Sequence, residues 1–168
     1  MSNAKNYILS KEIASKKLSR IALEMVERNH DEPRLILLGI KEHGVVIAGI
    51  IASHLKKIFA GEIIVGSLAM DKRKPADVLI EPSIDFNNEV VIVIDDVANS
   101  GKALLYALKP LVNTYPKKIQ TAALVERTHK SFPVALDYVG LSVSTTLDEH
   151  IFVEVENGEV QGAWMEVK

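Results

Sequence analysis

Residues 90–105, VVIVIDDVANSGKALL, hold the pattern from which the fold follows. Val90 to Ile94 are apolar and β-branched with no polar alternation, as in a strand buried on both faces in the middle of a parallel sheet. Two adjacent carboxylates, Asp95 and Asp96, end the run. The polar turn Asn99-Ser100-Gly101 then leads into an apolar helical pattern from Lys102. In open α/β sheets ligands bind beyond the carboxyl ends of strands, and a helix N-terminus offers unpaired N–H groups to a phosphate. The two acids repel a phosphate but accept hydrogen bonds from a neighbouring diol. A sugar phosphate is the ligand that suits this order of residues.

A strand ending in Asp-Asp can also be a solvated sheet edge with a helix cap. Two other motifs fail on position. A Walker phosphate loop needs glycine five residues before Gly101 and Ser or Thr after Lys102, where this chain has Asp96 and Ala103. A phosphorelay receiver carries its acidic pair at the first strand, whereas here two strand candidates come earlier.

The segment VIVIDDVANSGKA resembles the phosphoribosyl-pyrophosphate motif of type I phosphoribosyltransferases: apolar strand, two acids, an apolar residue, two variable residues, then Ser/Thr-Gly. The wider chain is similar to the pyrimidine-operon attenuation regulators that double as uracil phosphoribosyltransferases. That similarity includes LLGIKEHG at 37–44, KKIQTAALVERTHK at 117–130 and DYVG at 137–140. It implies an α/β fold with a central, mostly parallel sheet flanked by helices, a small hood and a flexible flap loop.

The resemblance also implies roles. Asp95 and Asp96 would hold the ribose 2′- and 3′-hydroxyls and shape a Mg²⁺ environment. Ala98, Asn99, Ser100, Gly101, Lys102 and Ala103 would cradle the 5′-phosphate. Lys41, Glu42, His43 and Gly44 would form the pyrophosphate loop, which in the family often holds a cis peptide, and Lys72 and Arg73 would meet the leaving pyrophosphate from the flap. Base contacts would fall at Tyr138, Val139 and Leu141. The partners would be phosphoribosyl pyrophosphate, a nucleobase or nucleoside monophosphate, and further copies of the chain, with RNA as the partner of a regulator.

The chain departs from the family pattern at several of these positions. Glu42 and His43 stand where the attenuation regulators carry Thr and Arg, so the loop loses a guanidinium fork that suits phosphate. Ala103 replaces a second hydroxyl, a loss worth about 1.5–3 kcal/mol for a hydrogen bond to a charged group. Asn99 replaces the Asp of 6-oxopurine enzymes, and Leu141 replaces a Lys. A phosphoribosyltransferase acting on an unidentified base is the leading expectation; a non-catalytic, nucleotide-sensing regulator is the alternative.

With 168 residues, 48% of them hydrophobic, the chain suits one domain with a full core. A net charge of −2 gives no global basic field for nucleic acid or anionic membrane. The lack of cysteine excludes disulfides and thiolate metal sites and fits a cytoplasmic setting. No apolar run approaches the roughly 20 residues of a membrane span, and no signal-peptide core follows Met1. Residues 1–4 resemble an expression remnant.

Along the chain, Ser10 is placed to cap a helix whose apolar face is Ile13, Leu18, Ile21, Ala22, Met25 and Val26, with Lys11, Lys16, Lys17 and Arg20 around it. Strands are expected at 35–40 and 61–68, with a helix over 45–59 between them. The polar stretch 69–89 is the expected flap, with a short strand at Val78-Leu79-Ile80. Pro110 should kink the helix that starts at Lys102 or end its first half. Further strands follow at 119–125, 138–143 and 151–155, and a hairpin turns at Asn157-Gly158. Residues from about 127 to the C-terminus would complete the sheet and build the hood.

Overall fold

A computed structural model describes residues 5–71, 73–75 and 77–168. The main sheet has six strands: β2 (Arg34–Ile40), β3 (Glu62–Ala69), β4 (Leu79–Glu81), β5 (Val90–Ala98), β6 (Lys118–Arg127) and β7 (Tyr138–Val143), in the order β4-β3-β2-β5-β6-β7. All pair in parallel except β4, which runs antiparallel to β3 at one edge. The motif strand β5 is thus central, and every residue from Val90 to Asp95 is buried. That is the environment its unbroken apolar run requires.

Two helices, α1 (Lys11–Asn29) and α2 (His43–Ile58), cover one face of this sheet, where they share a core with Leu35, Leu37, Ile92 and Ile94. The third helix, α3 (Lys102–Val112), covers the other face over Ile36, Leu38, Val91 and Val93. Ser10 caps α1, its Oγ accepting the Ile13 amide at 3.2 Å, a contact worth about 1 kcal/mol. The buried stripe of α1 begins at Ala14; Ile13, expected in the apolar face, is exposed because it sits on the flank turned to solvent. Pro110 lies inside α3, which ends two residues later at Val112.

The hood differs from expectation. Strands β8 (Glu149–Glu156) and β9 (Glu159–Val167) do not complete the main sheet. They form a separate antiparallel sheet, β1-β9-β8, with an N-terminal strand β1 (Asn6–Ser10) that the sequence pattern did not mark. Five residues with a single buried side chain carry too little periodicity to announce a strand. The Asn157-Gly158 turn joins β8 to β9 as expected, both residues having positive φ (52° and 73°). The strand expected at 138–143 does complete the main sheet, as its edge strand β7 beside β6.

Part of the expected flap is anchored. Within 69–89, β4 is bonded to β3, Phe86 is buried, and Ile80 and Ile84 pack on the core beneath α3. Among the described residues, no helix is long and apolar enough to cross a membrane.

Candidate functional site

Strand alternation divides the acidic pair between two pockets. Asp95, 2% exposed, accepts the Asp96 amide on Oδ1 at 2.9 Å. It borders a cavity of about 170 Å³ lined by Val97, the turn 98–101 and the first residues of α3. Asp96 points the other way, with Oδ2 3.3 Å from His43 Nδ1. Together with Lys41, Glu42 and His43 it lines a second cavity of about 270 Å³. The two acids therefore serve different neighbours, which their adjacency in sequence conceals.

The first cavity is built around the N-terminus of α3. Gly101 is its N-cap, in the left-handed region (φ 86°), and no side chain caps the helix there. The Ser100 hydroxyl accepts the Lys102 amide at 3.3 Å. The amides of Ala103 and Leu104 belong to the first turn, where a helix offers N–H groups without intrahelical acceptors, and both residues line the cavity. A Cβ at Gly101 would be strained by φ and would lie 3.3 Å from the Phe132 carbonyl oxygen. Behind the turn, the Ser100 carbonyl accepts the amides of Ser131 at 3.0 Å and Phe132 at 3.1 Å. All six expected phosphate-cradle residues thus lie at one cavity, and Ser131 and Phe132 support it from outside the motif.

The second cavity lies at the N-terminus of α2. The Lys41–Glu42 peptide is cis, and the Lys41 amide donates to the Leu68 carbonyl at 2.8 Å. Gly44 lets the helix close on the end of β5: a Cβ there would sit 2.7 Å from the Ile94 carbonyl oxygen and 3.3 Å from Asp95 Cα. Gly39 does the same from β2, where a Cβ would lie 2.5 Å from the Gly44 carbonyl oxygen. The two glycines bring the Lys41–Gly44 loop beside the acidic pair.

The remaining expected residues do not gather there. Lys72 lies outside the described residues. Arg73 lines neither cavity; its amide donates to Asp71 Oδ1 at 2.9 Å. Tyr138, expected at the base, is fully buried in the core. Its hydroxyl donates to Gln120 at 2.9 Å and accepts from Asn29 at 3.2 Å, and the Arg28 guanidinium lies over its ring. Burial pushes its phenol above the ordinary range, against the Asn29 hydrogen bond and the Arg28 charge. A ring so held cannot meet a base, so that expectation is corrected. The Val139 carbonyl accepts from Arg20 at 2.6 Å, and Leu141 packs against the core; neither lines either of these two cavities.

These features define a class: an α/β protein with two cavities, one at the N-terminus of α3 and one at the N-terminus of α2, on either side of an acidic pair at the end of the central strand. The phosphoribosyl transferase domain model matches residues 6–157, and the chain belongs to the type I phosphoribosyltransferase family. It is 36% identical to the bifunctional protein PyrR of Ligilactobacillus salivarius over 86% of this chain and 87% of that one. It is also 32% identical to the pyrimidine operon regulatory protein of Lactococcus lactis, over 90% of this chain and 91% of that one. Two solved structures share the fold. The hypoxanthine phosphoribosyltransferase of Trypanosoma cruzi has a TM-score of 0.78 at 12% identity, covering 96% of both chains. A hypoxanthine-guanine phosphoribosyltransferase from Bacillus anthracis has 0.70 at 18% identity, covering 89% of this chain and 87% of that one.

Proposed function

We propose that this protein transfers the phosphoribosyl group of phosphoribosyl pyrophosphate to a nucleobase. The observation that carries this reading is the pair of anion pockets flanking Asp95 and Asp96. One suits the 5′-phosphate, the other the pyrophosphate, and the diol between them meets the carboxylates.

In the reaction the C1–O bond to pyrophosphate breaks as a base nitrogen bonds to C1, through a transition state of oxocarbenium character, and the nitrogen's proton leaves. No protein nucleophile is needed. The chain's task is to hold both ends of the donor so that C1 faces the acceptor and to place acidic oxygens near the developing positive charge. The half-buried Asp96 carboxylate is a hard oxygen donor that fits Mg²⁺. Among the described residues no three metal-ligating side chains converge, so substrate oxygens and water would complete the coordination. Bound there, Mg²⁺ would neutralise the leaving pyrophosphate.

Release of pyrophosphate, followed for uracil, hypoxanthine, guanine, adenine and orotate with phosphoribosyl pyrophosphate and Mg²⁺, tests the proposal. Turnover with one base, lost in Asp96→Asn, is expected. Silence with every base, in a protein that still binds nucleoside monophosphate, would leave the regulator reading instead.

That second reading, a nucleotide sensor that binds RNA, is favoured by the names its relatives carry and by Glu42 and Ala103 in the two anion loops. The basic side of α1 counts against it. Lys11 pairs with Glu159 at 2.9 Å, Lys16 with Glu12 at 3.3 Å, and Arg20 with Glu24 at 3.2 Å. RNA held through several phosphates would show a steep loss of affinity with salt.

We also read the protein as a homo-oligomer. Tyr106 is half-exposed and Val112 is exposed on α3, beside Leu105 and Leu108, which are only partly covered by the core, and apolar surface of this kind is suited to cover by a second copy. Sedimentation as a monomer at micromolar concentration would refute it.

A further inference from the structure

The connection between β6 and β7 touches two parts of the site at once. At its start Arg127, only 8% exposed, donates from Nε to the Thr145 hydroxyl and from a terminal nitrogen to the Thr146 carbonyl at 2.7 Å. His129 Nε2 donates to the Thr145 carbonyl at 2.8 Å, and the Thr128 amide donates to the Val143 carbonyl at 3.1 Å. Thr128 and Ser144 also meet through their hydroxyls at 3.2 Å. A few residues further along, the amides of Ser131 and Phe132 hold the Ser100 carbonyl of the proposed phosphate cradle.

Burying a guanidinium is costly unless its donors are satisfied. Arg127 meets that cost with bonds to one short loop, 143–146, and so fixes the loop in place. The strand register sets the distance. Ala98 of β5 pairs with Glu126, and Glu126 with Ser142. At about 4.8 Å per strand, the loop begins about 10 Å from the cradle strand. A ribose 5-phosphate held at Asp95 would fall short of that distance, and a base joined to C1 on that side would span it.

We propose that Arg127 is a positioning residue: with residues 128–132 it couples occupancy of the 5′-phosphate cradle to the placement of loop 143–146 as the wall of the acceptor pocket. The inference rests on the phosphoribosyltransferase reading above. It adds a mechanical link between donor binding and acceptor recognition.

Ribose 5-phosphate is the probe, because it fills the cradle without a base or a pyrophosphate. Its affinity is measured by calorimetry, and hydrogen exchange is followed at the amides of 143–146 with and without it. In the wild type, saturation is expected to slow exchange there at least fivefold. In Arg127→Gln that slowing is lost. Reciprocity of coupling requires the variant's affinity for ribose 5-phosphate to fall by no more than the factor by which protection rose. His129→Gln, at a half-exposed position, supplies the same comparison should Arg127→Gln fail to fold. Binding without any change at 143–146 in the wild type would overturn the coupling and leave the proposed function standing. Slowing retained in the folded variants would overturn the role of the β6–β7 connection. Failure of ribose 5-phosphate to bind the wild type would overturn the cradle, and the functional reading with it.

Discussion

Restoring a hydroxyl at Ala103 tests the placement of the 5′-phosphate most directly. Ala103 is the second residue of α3, half-exposed and on the wall of the first cavity. A threonine there adds a hydroxyl at the cavity lining, in the first turn of α3, on a residue that also packs partly against the core. The helix-propensity cost of Ala→Thr, about 0.5 kcal/mol, falls on folding and is the same with and without ligand. Binding gains a hydrogen bond to a charged group, about 1.5–3 kcal/mol, and loses roughly 0.5 kcal/mol when the side chain is fixed in one rotamer. The net gain is about 1 kcal/mol at the low end, near fivefold in affinity. Calorimetric titration of Ala103→Thr with ribose 5-phosphate and with uridine monophosphate should show this tightening, while inorganic pyrophosphate, expected in the other cavity, should bind as before. Unchanged or weaker binding of both phosphomonoesters by a folded variant would refute the cradle assignment, since the hydroxyl would then lie where no phosphate comes.

Asp95→Asn and Asp96→Asn are each expected to weaken ribose 5-phosphate or nucleotide binding at least tenfold, about 1.4 kcal/mol; wild-type affinities by calorimetry in both would remove the diol from this site. Gly44→Ala forces a Cβ to within 2.7 Å of the Ile94 carbonyl oxygen, an overpacking that should cost about 1–3 kcal/mol of stability. A urea midpoint equal to wild type would show that α2 does not close on β5 as described. If residues ahead of β4 act as a flap, the amides of Arg73, Lys74, Asp77 and Val78 should exchange fast without ligand and slow when pyrophosphate and Mg²⁺ are added. Equal protection in both states would count against a flap.

The central strand, the acidic pair at its end and the turn into α3 were legible in residues 90–105 because each follows from local chemistry. An unbroken apolar run demands burial on both faces, and glycine at 101 permits the left-handed cap that starts α3. The helix start at Ser10 and the turn at Asn157-Gly158 were legible for the same reason, since a cap and a hairpin turn are decided within a few residues. Tertiary structure decided the rest. Tyr138 belongs to the core because Asn29 and Gln120, distant in sequence, satisfy its hydroxyl. The run Glu126-Arg127-Thr128-His129 reads only as a polar strand end until the pairing of β6 with β7 brings Thr145 within reach of Arg127. β1 exists as a strand only because β9 offers it an edge. Periodicity reports which face of an element is buried; it cannot report which partner, far along the chain, supplies the other half of a hydrogen bond.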